Sequence, residues 1–445
     1  MKVRIFLYLV YSYITTVARS IGLKDEFTWS RINYDWTQDS SLIASFSGMK
    51  VVEESGFFFN GLINVDSYTP TEGTKISPAK ILETTSVDYQ YANNIPMGAN
   101  VWKNKLFITV PRRRLGVPST LNYIPLDSPV KHNVPLIPYP SWSLNLFPDT
   151  SGKGDNLVSI YRVEIDTCDR MWFVDTGVIE IPGNVTRVKE PQLILINLQT
   201  DEIIHRVTVS ENVLRPNTLL ASVTVDLPKQ FCSKAFAYLP DLSGFGLIVY
   251  SLEEDRFWRV NHNYFYLEPA AGEFLVGGYN FQWNDGVFSV ELSQEKPDGF
   301  RDMYFHSMAG THIYKVSTKV LRNETLSTRS YHANDFTNIG DRGPKSQTSM
   351  ADIHKASGIM FLGLVNKNAV ACWNTQKGLK TISIVHKDDS KMVYPSDVKV
   401  SGDQVFVLTN RMPVFLYGKL NYDDVNFRIW FNTVEDAVKY TNCAA

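Results

Sequence analysis

The chain has 445 residues, 44% of them hydrophobic and 13% aromatic, with 44 Lys and Arg against 46 Asp and Glu for a formal charge of −2. That weakly acidic balance excludes a nucleic-acid partner, whose binding needs concentrated positive charge. With 20% charged residues and no biased composition, the chain reads as ordinarily globular rather than as a repetitive structural or nutritive protein.

The first segment, MKVRIFLYLVYSYITTVARS, places Lys2 and Arg4 before an apolar run from Ile5 to Tyr13. It ends in the small-x-small pattern Ala18-Arg19-Ser20, so residues 1–20 are expected to be a secretory signal peptide. The run is too short for a membrane span, and no later stretch approaches about 18 consecutive apolar residues, so no membrane partner is expected. Its removal leaves 41 basic against 46 acidic residues, a formal charge of −5. Two sequons, Asn184-Val185-Thr186 and Asn323-Glu324-Thr325, are expected sugar sites in an exported chain.

Residues 21–445 are expected to form one domain. Sustained helical periodicity is scarce, and only Val434 to Tyr440 reads as a short helix. Six segments instead repeat one pattern: an alternating strand, a polar turn, a second strand, then a polar or small cluster. They are 99–112, 158–177, 220–244, 285–310, 349–368 and 395–413. Successive phases lie about 60 to 66 residues apart, the size of a four-stranded blade with long loops. The expected fold is therefore all-β, a six-bladed β-propeller in which radial repetition protects the sheet edges.

Four cysteines in an oxidising compartment suggest two disulfides, with three connectivities open. No two lie at a Cys-x2-4-Cys spacing, which speaks against zinc. Cys168 and Cys232 are 64 residues apart, each just before the second strand of its own unit. Equivalent positions in adjacent blades are spatial neighbours, so Cys168–Cys232 is the favoured bond. It leaves Cys372–Cys443 to tie the C-terminal tail to the fifth unit. In the loop-entropy account, closing about 64 residues contributes roughly 4 kcal/mol.

Within CDRMWFVDTG (168–177), Asp175-Thr176-Gly177 spells an aspartic-protease triplet. That chemistry needs two carboxylates sharing a proton, and no second Asp-Thr-Gly or Asp-Ser-Gly exists in the chain. The triplet is expected to be the turn where a buried strand through Trp172, Phe173 and Val174 leaves its sheet. Asp241 and Asp397 recur at strand ends, where carboxylates cap turns and where they would also make the channel mouth negative. Arg112-Arg113-Arg114 is expected to be a solvated loop. His306 and His312 flank a turn without a third ligand, a poor zinc site. No phosphate loop, His-Glu-x-x-His or Gly-x-Ser-x-Gly occurs, so neither a cofactor nor a metal is implied.

CDRMWFVDTG, GFGLIVYS (244–251), FLGLVNKNAVACWN (361–374) and DDVNFRI (423–429) together resemble the yellow / major royal jelly protein family of insects, from about Thr28 to Cys443. The resemblance implies the six-bladed propeller and both disulfide pairs. The family includes pigmentation factors, nutritive proteins, salivary proteins that trap biogenic amines, and proteins that convert dopachrome. In the amine-binding members the ligand lies in the central channel, held by the last blade. Their ligand-contacting hydroxyl matches Ser396, preceded by the aromatic Tyr394, and their ligand-contacting amide matches Asn410. Met412 stands where those members have an aromatic, while Tyr161 and Phe288 match further channel-lining aromatics. An aromatic amine in such a channel would meet ring faces from Tyr161, Phe288 and Tyr394 and acceptors from Ser396 and Asn410. A channel-bound aromatic ligand is the leading expectation, with dopachrome conversion and a nutritive or structural role as alternatives.

Overall fold

In a computed structural model, residues 22–37, 89–147 and 154–444 are described; the leader at 1–20 lies outside them. Six four-stranded antiparallel sheets carry the chain. Their innermost strands are Gly98–Trp102, Ile160–Ile165, Thr224–Asp226, Val287–Leu292, Thr348–His354 and Pro395–Ser401. Each touches the next, and the sixth returns to the first, so the sheets close a ring around one axis. The expected propeller is the observed fold.

The ring closes through the N-terminal strand Lys24–Trp29, the outermost strand of the sixth sheet, which pairs with Phe427–Thr433. Main-chain hydrogen bonds thus join the two ends of the chain, a closure that no local pattern announces. The tail helix is Val434–Val438, shorter than expected, with the Thr433 hydroxyl accepting from Asp436 N. No helix among the described residues is long and apolar enough to cross a membrane.

Period-two alternation explains why the blades bury both faces. On Arg170–Asp175, Trp172 and Val174 pack toward the third blade beside Leu239 and Ile248. Met171 and Phe173 pack the other way, toward the first blade with Phe107 and Leu121. A one-residue slip would exchange these faces.

Both disulfides form as expected, Cys168–Cys232 with Cα atoms 6.1 Å apart and Cys372–Cys443 with 6.0 Å. The Asp175-Thr176-Gly177 triplet is a turn. The Asp175 carboxylate accepts from Val158 N at 2.8 Å and Ser159 N at 2.9 Å, stitching the inner strand's entry to the second strand. Gly177 sits at φ +66°, and a Cβ there would lie 1.9 Å from Lys189 O, so only glycine fits. A protease dyad has no place in this geometry.

The arginine triplet corrects the expectation of a solvated loop. Arg112 and Arg113 are buried because the segment after Lys105–Thr109 folds inward over the ring. Arg112 donates to the carbonyls of Val117, Pro118, Asn145, Leu157 and Val158, so five otherwise orphaned acceptors share one guanidinium.

Candidate functional site

Four innermost strands carry a bulge near the same end: between Ile160 and Val163, Val287 and Ser289, Thr348 and Ala351, and Pro395 and Asp397. A bulge re-aims a side chain and recurs beside functional sites. Here the bulged positions include Tyr161, Phe288 and Ser396, three of the residues the sequence singles out. Tyr161, Phe288, Tyr394 and Met412 all belong to one buried cluster at this end of the axis.

The axis below that cluster is crossed by Arg162, which is 2% exposed. Its Nη2 donates to Ser396 O at 2.7 Å, its Nη1 to Ala221 O at 3.4 Å, and its Nε lies 3.7 Å from Asp397 Oδ1. The guanidinium carbon sits 5.2 Å from the centre of the Phe288 ring. One side chain from the second blade thereby contacts the third, fourth and sixth, separating an aromatic mouth from a polar lower channel.

The lower channel is built from period-two successors on the same inner strands. Lys399 Nζ meets Glu164 Oε2 at 2.5 Å. Burial opposes the Lys399 charge, but Glu164, Asp397 and Asp352 around it raise its pKa. Glu291 accepts from the Ser289 hydroxyl, and its second carboxyl oxygen has no partner. Burial pushes the Glu291 carboxyl up to about 8, with the Ser289 hydrogen bond pulling the other way. Because the folded state holds this proton more tightly than the unfolded chain, stability falls as pH rises from the ordinary carboxylate range through about 8. Glu291→Gln is expected to match the parent at pH 5 and to be more stable by about 2 kcal/mol at pH 8, read by denaturant midpoint.

At the mouth, the side chains of Ser396 and Asn410 are tied to the chain. The Ser396 hydroxyl donates to Met97 O at 3.2 Å, and Asn410 Nδ2 donates to Pro96 O at 2.7 Å. Asn410 Oδ1 accepts from Met412 N at 3.1 Å, at the start of the helix Met412–Tyr417. Both side chains close the sixth blade onto the first. Tyr394 adopts φ +57°, and its ring meets Trp283 edge-on at 5.9 Å. Trp283 Nε1 donates to the Tyr417 hydroxyl at 2.8 Å, and Phe281 packs 5.1 Å from Tyr417. These rings wall the mouth.

Two ionisable groups there were not read from the sequence as site residues. Arg113 places its guanidinium 5.7 Å from the Tyr161 ring centre. Asp285, just before the fourth inner strand, is densely surrounded yet still partly reached by solvent. Burial pushes its carboxyl up to about 6, with Arg113 pulling the other way. Arg113, Tyr394, Tyr417 and Asp285 sense one another electrostatically, but Arg113 and Asp285 form no ion pair. The only sequence signals were an arginine triplet and an Asp-Gly turn, and both motifs are common in ordinary loops.

Asp175, Asp241 and Asp397 do not give the mouth negative potential; all are buried and spent on local partners. Asp241 accepts from Leu219 N and Gly244 N and pairs with Arg259 at 2.8 Å. Asp397 accepts from Ala99 N and Val398 N. His306 and His312 have separate partners, Ser349 O at 3.4 Å and Glu268 at 3.1 Å. Among the described residues no group of three or more His, Cys, Asp or Glu is placed to hold a metal. Asn184 and Asn323 are exposed, and Asn323 caps the short helix Glu324–Ser327 through its side-chain oxygen.

A groove of about 830 Å³ lies off the axis, between the outer strands of the fourth and fifth blades, with Ile339, Leu379 and Ile384 in its walls. The axial mouth is the stronger candidate, because unpaired ionisable groups and aromatic faces converge there.

Residues 158–443 match the family described as Major royal jelly protein. The chain is 39% identical over 355 residues to L-dopachrome tautomerase yellow-f of Drosophila melanogaster, covering 79% of this chain and 82% of that protein. It is 40% identical over 364 residues to Protein yellow of Drosophila yakuba, covering 80% of this chain and 66% of that longer protein.

Proposed function

Because the chain belongs to the major royal jelly protein family, we propose that it is an exported propeller that takes a small aromatic ligand at its axial mouth and isomerises it, as a dopachrome tautomerase would. The observation that carries the reading is Asp285: an unpaired carboxyl beside aromatic walls, titrating near 6 because of burial. Export is supported by the basic-apolar leader in the sequence and by two disulfides, which persist in oxidising compartments.

Dopachrome is an indoline quinone bearing a carboxylate, and its tautomer is an isomer, so no oxidant or reductant is consumed. Two ring C–H bonds break, at C2 and C3, their electron pairs move into the ring to make it aromatic, and both quinone oxygens gain a proton. The chain must supply a base for the first event and an acid for the last. Asp285 is ionised at pH 7 and close enough to that pH for its conjugate acid to return the proton. Tyr161 and Tyr394 offer ring faces, and burial keeps the Tyr394 phenol protonated, a donor toward a quinone oxygen.

The second reading is an amine carrier without turnover. It rests on the same aromatic walls, but Asn410 Oδ1 already accepts from Met412 N, and Ser396 is fully buried with its hydroxyl donating to Met97 O. The deciding measurement follows L-dopachrome absorbance with purified protein. Loss several-fold or more above the spontaneous rate, yielding the carboxylated dihydroxyindole, supports the enzyme. Loss at only the spontaneous rate, with heat on titrating serotonin or dopamine, supports the carrier.

A further inference from the structure

Six arginines are buried among the described residues: Arg112, Arg113, Arg162, Arg170, Arg342 and Arg428. Five have acceptors. Arg112 and Arg342 each hold several carbonyls, Arg162 holds Ser396 O, Arg170 pairs with Asp166 at 2.8 Å, and Arg428 donates to Val425 O. Arg113 is 7% exposed; like Arg162, Arg342 and Arg428 it has a buried Nε without a partner. Those three place Nη groups on carbonyls, whereas the Arg113 side chain donates to no protein acceptor. A largely buried guanidinium without a protein acceptor is costly, and folded proteins rarely leave one so. Its five N–H donors form a planar fork that matches a carboxylate.

The surroundings select the rest of the ligand. Arg113 lies over the Tyr161 ring at 5.7 Å, in the neighbourhood of Tyr394 and Tyr417. Arg114 stands next to it, its guanidinium 3.9 Å over Phe415 and donating to Phe415 O at 2.6 Å. Arg162 below is already engaged with Asp397, and Asp285 is the one carboxylate known to sense Arg113. The mouth therefore holds two cations without carboxylate partners against one free acid, which disfavours an ammonium and favours an anion.

We propose that Arg113 is an anion subsite, so that the axial mouth takes an aromatic carboxylate in preference to an aromatic amine. The carboxylate docks on the guanidinium fork, and the ring lies against Tyr161 and Tyr394. The subsite rests on the reading of the mouth as the ligand site, and it names the feature of the ligand that is recognised. It does not depend on turnover.

Calorimetry with three stable probes tests it: indole-2-carboxylate, its neutral carboxamide, and tryptamine. The full chain is expected to bind the carboxylate at least tenfold more tightly than either other probe. Arg113→Gln should erase that preference, and Arg113→Lys should keep part of it. The melting temperature of Arg113→Gln should be equal to or above the parent's, whereas an arginine with a structural role would lower it. Equal affinities, a preference for tryptamine, no binding of any probe, or a preference that survives Arg113→Gln would each overturn the subsite. Two further outcomes separate it from the enzymatic reading. Carboxylate preference without acceleration of L-dopachrome loss keeps the subsite and removes the enzyme. Equal rates on L-dopachrome and its methyl ester keep the enzyme and remove the subsite.

Discussion

Asp285→Asn is expected to lower kcat for L-dopachrome by about 10²- to 10⁴-fold, the usual range for a lost general base, while leaving KM within a few-fold. Asparagine has the same shape, and no protein hydrogen bond to the carboxyl is lost, so the variant should fold as the parent does. In the parent, kcat/KM should rise as pH increases through about 6 and level off above it, because the base works only when ionised. That limb should vanish in the variant. Stability carries the opposite sign. The folded carboxyl titrates above its ordinary range, so ionising it costs stability as pH rises toward 6, and the variant should gain relative to the parent between pH 4 and pH 7. An unchanged kcat in Asp285→Asn would remove this residue from the chemistry.

Arg162→Met is expected to cost about 3–5 kcal/mol, read from the denaturant midpoint at constant slope. The loss exceeds that of a removed surface charge because of what stays behind. Asp397 remains buried with one fewer cation, and Ser396 O and Ala221 O lose their donor. The unbranched methionine can fill the volume beside Phe288 but cannot join three other blades. A stability change below about 1 kcal/mol would show that the axis is held by the sheets alone.

Neither residue was legible as such. Asp285 reads locally as the first half of an Asp-Gly turn, and Arg162 as a polar residue on an alternating strand. Arg113 was noticed only as part of a basic triplet, for which solvent is the usual partner. Each acquires its meaning from residues far away in sequence: Ser396 is 234 positions from Arg162. The same holds for the strand Lys24–Trp29, whose partner Phe427–Thr433 lies at the other end of the chain.

What the sequence determined by itself was whatever repeats or alternates. The phase of about 60 residues announced six blades. Trp172 and Phe173 announced a strand buried on both faces, and equal phases placed Cys168 beside Cys232. These features are local and additive, so a linear reading recovers them. Tertiary structure alone decided which buried charges find partners, because pairing depends on how six strands meet at an axis. There the ring satisfies Arg162 and Asp397, leaves Arg113 and Asp285 unpaired, and thereby marks where a guest belongs.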